Sequence, residues 1–322
     1  MRHPCIAGML AIVLLAPGVQ AQGPVPPADL GWKGLTQVIS RQWGGGNWSK
    51  QDWDATEIDV AAMAKAGIRW TRLEFPVNER EYGGLDRAVT LLSKYQIHVL
   101  LLIEGRGVDP ADARERARYK EWLTTLIRRY QGRIAYYEIG NEPYVEGAKP
   151  GRGTCTFTPP GYAEGAGRYL SWLDDSYTAI KAVDPAITVL FAGLSEWTSE
   201  CYLDQVTAQR GYRWCDAIAF HPYGKTPQEC LARLHDSLRK RMANWPAPYD
   251  HLPIWITEIG FHTERGWHNN AGLVPDEKTK AAYLVEMMRL LQADGIKTPI
   301  FWYTAHESHP NTHGYGLVMR SP

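Results

Sequence analysis

Short apolar runs alternate with longer amphipathic ones along most of this chain, and the two periodicities separate cleanly into strands and helices. Leu35–Ser40, Ile68–Leu73, Val99–Ile103, the run ending at Asn141, Ile187–Ala192, Ala217–Phe220, Ile254–Thr257 and Ile300–Tyr303 read as eight strands. Helices are expected between them over Thr56–Ala66, Leu85–Tyr95, Ala111–Tyr130, Gly161–Val183, Tyr202–Gln209, Pro227–Met242 and Asp276–Ala293. Parallel strands need crossover connections, and eight of them close without leaving an edge, so the pattern predicts a (β/α)8 TIM barrel over residues 30–322. A doubly wound open sheet is the alternative, but Gly44-Gly45-Gly46 is not followed by a helix at the spacing that cradles a phosphate. After the last predicted strand, Asn311-Thr312-His313-Gly314-Tyr315-Gly316 is no helix former. The barrel is therefore expected to lack its last helix: either the chain is a shortened product whose uncovered strand exposes apolar surface, or the first segment and neighbouring helices cover that seam.

The first residues follow a different rule. Met1-Arg2-His3-Pro4, the apolar stretch from Cys5 to Val19 and the small residue Ala21 read as a signal peptide over 1–21, followed by a Pro-rich leader at 22–29. The product is expected to be secreted or periplasmic, with no membrane association after cleavage. Cys155, Cys201, Cys215 and Cys230 then remain, enough for two disulfides in three possible pairings. Cys155 with Cys201 is the favoured pair, because both belong to loops on one barrel face.

Formal charge is balanced, with 35 basic and 35 acidic residues, which points away from nucleic acid as a partner. A monomer is expected. The aromatic content is skewed, with 13 Trp and 17 Tyr against 6 Phe. Flat apolar faces with polar edges suit stacking on sugar rings, and they also fill cores, so composition leaves both uses open.

Chemistry concentrates where the strands end, since β/α barrels carry their active sites at the carboxyl ends of strands. Strand two ends in Arg72 and Glu74, strand three in Glu104, strand four in Asn141 and Glu142, strand six in His221 and Tyr223, strand seven in Glu258 and strand eight in Trp302. Pro143 disfavours the right-handed helical region for Glu142, so an extended strand is expected to run through that carboxylate. Glu142 and Glu258 come from opposite sides of the mouth. Such a pair can flank a glycosidic bond, one carboxyl giving a proton to the leaving oxygen while the other attacks C1 as an anion. Arg72 beside Glu258 would keep the latter ionised. Glu74 and Glu104 read as solvated or ion-paired. His306, His309 and His313 lie in an irregular segment that would not fix a metal, so no metal and no cofactor is expected.

Three ordered segments sharpen this. Tyr-Glu-Ile-Gly-Asn-Glu-Pro at 137–143, Ala-Phe-His-Pro-Tyr-Gly at 219–224 and Ile-Trp-Ile-Thr-Glu-Ile-Gly-Phe at 254–261 resemble the strand-four, strand-six and strand-seven signatures of clan A glycoside hydrolases. The chain is most similar to family 39-like enzymes, with family 5 next. The resemblance implies a retaining enzyme with Glu142 as general acid/base and Glu258 as nucleophile. By the same carry-over Asn141 would bind the sugar 2-hydroxyl, Tyr223 would hydrogen-bond Glu258, Arg72 would orient it, His221 would support the site, and Trp302 would floor the sugar subsite. Trp43, Trp48, Trp53, Trp197 and Trp267 would add further subsites for an extended glycan. An endo-β-glycanase acting on a polysaccharide or oligosaccharide is the first expectation. An exo-acting β-glycosidase, a catalytically silent carbohydrate-binding barrel and a metal-dependent hydrolase are the alternatives.

Overall fold

The computed structural model describes residues 25–26, 28, 31–36, 39, 51–105, 109, 111–143, 162–195, 199–263, 276–305 and 314–317, without the side chains of 162–165 and 199–201. Cys155, Trp43, Trp48, Trp197, Trp267, His306, His309, His313, the signal segment and most of the leader fall outside that set, as does the side chain of Cys201.

Eight parallel strands close on themselves in sequence order. They are β1 (Lys33–Thr36), β2 (Trp70–Pro76), β3 (His98–Glu104), β4 (Tyr136–Asn141), β5 (Thr188–Ser195), β6 (Ala217–His221), β7 (Ile254–Ile259) and β8 (Ile300–Trp302). The crossovers carry α1 (Trp53–Lys65), α2 (Gly83–Lys94), α3 (Ala113–Tyr130), α4 (Tyr162–Val183), α5 (Ser199–Ala208), α6 (Pro227–Arg233), α7 (Lys240–Met242) and α8 (Glu277–Ala293). A π-helical segment, Leu234–Arg239, joins α6 to α7, so the single helix expected over 227–242 is continuous but locally widened. Helix starts follow side-chain caps. Asp52, Asp112, Thr226 and Asp276 each accept a backbone N–H from the first turn of α1, α3, α6 and α8.

Strand alternation divides the aromatic side chains between two cores. Inward-facing Trp70, Tyr136, Trp255 and Phe301 form the barrel floor with Leu100, Leu190, Ala217 and Ala219. Trp70 meets Trp255 edge-on at 5.5 Å, and Tyr136 lies 5.1 Å from Trp70 and 5.2 Å from Trp255. Outward-facing residues such as Tyr137, Ile139 and Trp302 pack under the helices. Many aromatics that composition left open to sugar stacking are thus structural: Trp70, Trp172, Trp255 and Trp302 are fully buried. Trp53, half-buried, opens α1 and carries the Arg87 guanidinium 4.8 Å over its ring.

Among the described residues no helix follows β8. The outer seam between β8 and β1 instead holds a groove of about 420 Å³, lined by Trp32, Leu35, Ile68, Leu284, Met288, Trp302 and Leu317. Residues 314–317 cross beside it as a strap. The Trp302 indole donates to the Tyr315 carbonyl at 3.1 Å, the buried Lys280 ammonium donates to Gly316 O at 2.6 Å, and Leu317 N–H reaches Thr304 O at 3.2 Å.

The two-disulfide reading also needs correction. Cys215 and Cys230 are buried and not joined in a disulfide. Cys215 directs its sulfur toward Tyr212 O at 3.5 Å, and Cys230 meets the Tyr283 hydroxyl at 2.8 Å. Each packs as a small apolar group in a different part of the helical layer. Burial pushes the Cys215 thiol well above its ordinary pKa, which keeps it unreactive.

Closure of the barrel rests on a small residue facing a large one. A Cβ on Gly34 of β1 would stand 2.7 Å from the Phe301 ring of β8. Gly34→Ala is expected to overpack that seam by about 1–3 kcal/mol. Thermal denaturation checks this, and an unchanged midpoint would show that β1 and β8 can part without cost.

Candidate active site

Above the aromatic floor the barrel interior turns polar. Arg72, Glu138, His221 and Thr257 are all buried, from β2, β4, β6 and β7 respectively. An unpaired charge in such a place would cost several kcal/mol, so the arrangement must satisfy itself. It does so through Arg72. Its Nε donates to Glu138 Oε2 at 2.6 Å, Nη2 to Glu138 Oε1 at 3.0 Å and to Asn141 Oδ1 at 2.9 Å, and Nη1 to Glu258 Oε1 at 2.7 Å. Burial works against the guanidinium, but Glu138 and Glu258 outweigh it and raise its pKa far above the ordinary value. The cation is permanent.

Two strand irregularities aim the acidic groups. Along β7, Ile256 pairs with Ile300 but Ile259 pairs with Trp302, so three steps on one strand answer two on the other. This bulge lets the consecutive residues Thr257 and Glu258 both reach the interior, where strict alternation would have turned one away. On β5 a similar shift lies between Phe191 and Leu194. Gly193 sits within it, and a Cβ there would stand 2.1 Å from His221 Nε2. Its backbone N–H donates to Glu138 Oε1 at 2.9 Å and its carbonyl accepts from Glu142 N–H at 3.0 Å.

Glu142 departs from the extended conformation expected of it, with φ at 41° in the left-handed region. Pro143 disfavours the right-handed helical well, and the bond to Gly193 O together with the side-chain contact to His221 holds the carboxylate in the left-handed alternative. His221 Nδ1 lies 3.0 Å from Glu142 Oε1 and 3.8 Å from Glu258 Oε2. Its Nε2 lies 3.0 Å from the Thr257 hydroxyl, which donates to Glu138 Oε1 at 3.2 Å. The Tyr223 hydroxyl donates to Glu258 Oε2 at 3.0 Å. Burial, reinforced by the Glu258 charge, raises the Tyr223 phenol well above its usual pKa, so it stays a donor.

The second half of the site falls within a recognisable segment. Residues 140–320, more than half of the chain, match the model of the glycosyl hydrolase catalytic core. The chain belongs to that family. The matched segment holds Asn141, Glu142, His221, Tyr223 and Glu258, while Arg72 and Glu138 precede it. No curated protein sequence matches. Among solved structures, the barrel is similar to a glucosidase from Croceicoccus marinus (14% identity, TM-score 0.53, covering 76% of this chain and 55% of that one). It is also similar to a β-glucuronidase from Bacteroides uniformis (13% identity, TM-score 0.61, 89% and 33%) and a β-glucosidase from Exiguobacterium marinum (12% identity, TM-score 0.56, 84% and 82%). At these identities the likeness is one of fold. The chain spans about half the length of the first of these proteins and a third of the second.

Six of the seven residues singled out from the sequence of this glycosyl hydrolase core converge: Arg72, Asn141, Glu142, His221, Tyr223 and Glu258. Trp302 does not. Phe301 faces the interior, so alternation on β8 turns Trp302 outward into the helical layer, fully buried against Tyr283. A sugar cannot reach it, and its role as a subsite floor is corrected. The aromatic beside the mouth is Tyr303, with Tyr315 at 5.5 Å and Tyr223 at 6.2 Å from Tyr315. Glu74 and Glu104 lie half-buried on β2 and β3. Glu138, Thr257 and Gly193 were not singled out by sequence. Glu138 left a signal: an ionisable residue in the middle of an apolar strand needs a buried counter-charge.

Truncating Glu138 would leave Arg72 short of its main partner inside the barrel. Glu138→Ala is expected to cost about 3–5 kcal/mol of stability. Tyr223→Phe, which removes one hydrogen bond, is expected to cost only about 0.5–1.5 kcal/mol. Urea denaturation of the two variants checks the contrast, and equal losses would contradict it.

Proposed function

We propose that this protein is a retaining glycoside hydrolase in which Glu258 attacks the anomeric carbon and Glu142 serves as general acid and then general base. The observation that carries this reading is the sharing of His221 by both carboxylates. Two oxygens that reach one ring nitrogen at 3.0 and 3.8 Å can be no farther apart than those distances laid end to end. That upper bound meets the lower edge of the roughly 6.5–9.5 Å found in inverting enzymes and admits the roughly 5–5.5 Å of retaining ones.

The surroundings divide the roles. Glu258 takes hydrogen bonds from a guanidinium and a phenol, one on each oxygen, which fix the carboxyl group in place for attack. Glu142 faces outward from a left-handed turn with its side chain 24% accessible, as a group that must meet a leaving oxygen would. Asn141, oriented by Arg72, has its amide nitrogen left to donate to a sugar hydroxyl beside the nucleophile.

The substrate is a polysaccharide or oligosaccharide, met outside the cytoplasm on the reading of residues 1–21 as a signal, and endo-β-glycanase action in a family 39-like enzyme is the first reading. The activities in the names of the similar structures, glucosidase and β-glucosidase, favour exo-acting β-glycosidase as the second.

Reducing-end release from β-glucans, mannans, xylans and bacterial exopolysaccharides tests the proposal. One substrate class should be cut, indifferently to chelator, and Glu258→Ala should abolish the activity. Glu142→Ala should lose about 10²–10⁴-fold on natural glycans. It should lose far less on aryl glycosides with good leaving groups, where added azide should restore turnover. Full activity in Glu258→Ala would sink the assignment.

A further inference from the structure

The hydrogen bonds behind the two carboxylates form one chain, and its hydrogens can be counted. Glu138 is wholly buried and takes two bonds from Arg72, one from Gly193 N–H and one from the Thr257 hydroxyl. A hydroxyl has a single hydrogen. Thr257 spends it on Glu138, so it can offer His221 Nε2 only a lone pair. That nitrogen must carry a proton. At the other side of the ring, Nδ1 faces Glu142 Oε1 at 3.0 Å and Glu258 Oε2 at 3.8 Å. A bare nitrogen there would set lone pair against lone pair toward Glu258, and could bond Glu142 only by taking the acid proton that a leaving group needs.

We propose that Glu138 and Thr257 are positioning residues that hold His221 as a buried imidazolium, donating from Nε2 to Thr257 and from Nδ1 to Glu142. The inference rests on the reading of Glu142 as acid/base and says how that residue is controlled. Two cations, Arg72 and His221, then face two anions, Glu138 and Glu258. With Oε1 held by Nδ1–H, Glu142 keeps Oε2 for the leaving group. The Oε2–H bond breaks, its proton passes to the glycosidic oxygen, and the new carboxylate faces a cation already in place.

The groups around the ring agree. Burial alone disfavours a charged imidazole, but the Glu258 charge and the hydrogen bond to Glu142 outweigh it, Arg72 opposing, and the pKa lies above the ordinary histidine value. Tyr223, 6.5 Å away between ring centroids, stays a neutral phenol. Gly193 closes the remaining side with backbone, where a Cβ would collide with the ring.

Nitrogen-15 NMR of histidine-labelled protein tests this, with His221 assigned from the signal missing in His221→Asn. Both ring nitrogens of His221 should remain protonated at a pH above the ordinary histidine range. Thr257→Val should strip one proton from the ring in that range. It should also lower kcat on poor leaving groups about tenfold with little change in KM. Thr257→Ser, which keeps the hydroxyl, should behave as wild type in every readout. A His221 that loses a ring proton within the ordinary histidine range, or a Thr257→Val protein identical to wild type in ring signal and kcat, would overturn the proposal. The ring signal needs no turnover, so it stays readable if azide fails to rescue Glu142→Ala and the acid/base reading falls.

Discussion

One guanidinium ties the site together. Arg72 is buried inside the barrel and its planar fork reaches from β2 to two other strands, bonding Glu138 and Asn141 from β4 and Glu258 from β7. Removing that many charges from water is unfavourable unless each lone pair and each N–H finds a partner, and here the fit is close to complete. A lysine could not reproduce it, because an ammonium lacks the fork that meets two carboxylates in fixed directions. The geometry at the mouth follows. Glu258 points where Arg72 and Tyr223 hold it, and the Glu138 side of the network reaches Glu142 through Thr257 and His221.

The same constraint explains the irregular backbone. Alternation in a strand would send Thr257 and Glu258 to opposite faces, yet both are needed inside, and the β7 bulge resolves the conflict. Gly193 answers a second conflict. The buried imidazole needs the space that a side chain would take, while its backbone supplies a donor to Glu138 and an acceptor for Glu142. The seam beside β8 shows how the barrel closes where no described helix follows the strand. A strap at 314–317, held by Lys280 and Trp302, lies over the end of the sheet and brings Tyr315 to the mouth.

Much of this was legible in the sequence, for identifiable reasons. Hydrophobic periodicity marks eight strands because each strand is buried on both faces, and polar residues at strand ends mark the mouth because the interior below is apolar. Arg72, Asn141, Glu142, His221, Tyr223 and Glu258 all stood out that way. Trp302 misled because a residue's place at a strand end does not say which face it takes, and β8 turns Phe301 inward. Glu142 was expected to be extended because a following proline disfavours only the right-handed well, and tertiary bonds selected the left-handed one. Bulges are set by which side chains must meet across strands, information that no local pattern carries, so Thr257 stayed hidden beside its neighbour.

The central claim is that Glu258 forms the covalent bond to sugar. A 2-deoxy-2-fluoro glycoside of the sugar the enzyme cleaves, with a good leaving group, should stall at that stage. Intact mass followed by peptide mapping should place one fluorosugar on Glu258, with none on Glu142. An adduct on another residue, or efficient turnover to a product of inverted anomeric configuration, would contradict the account.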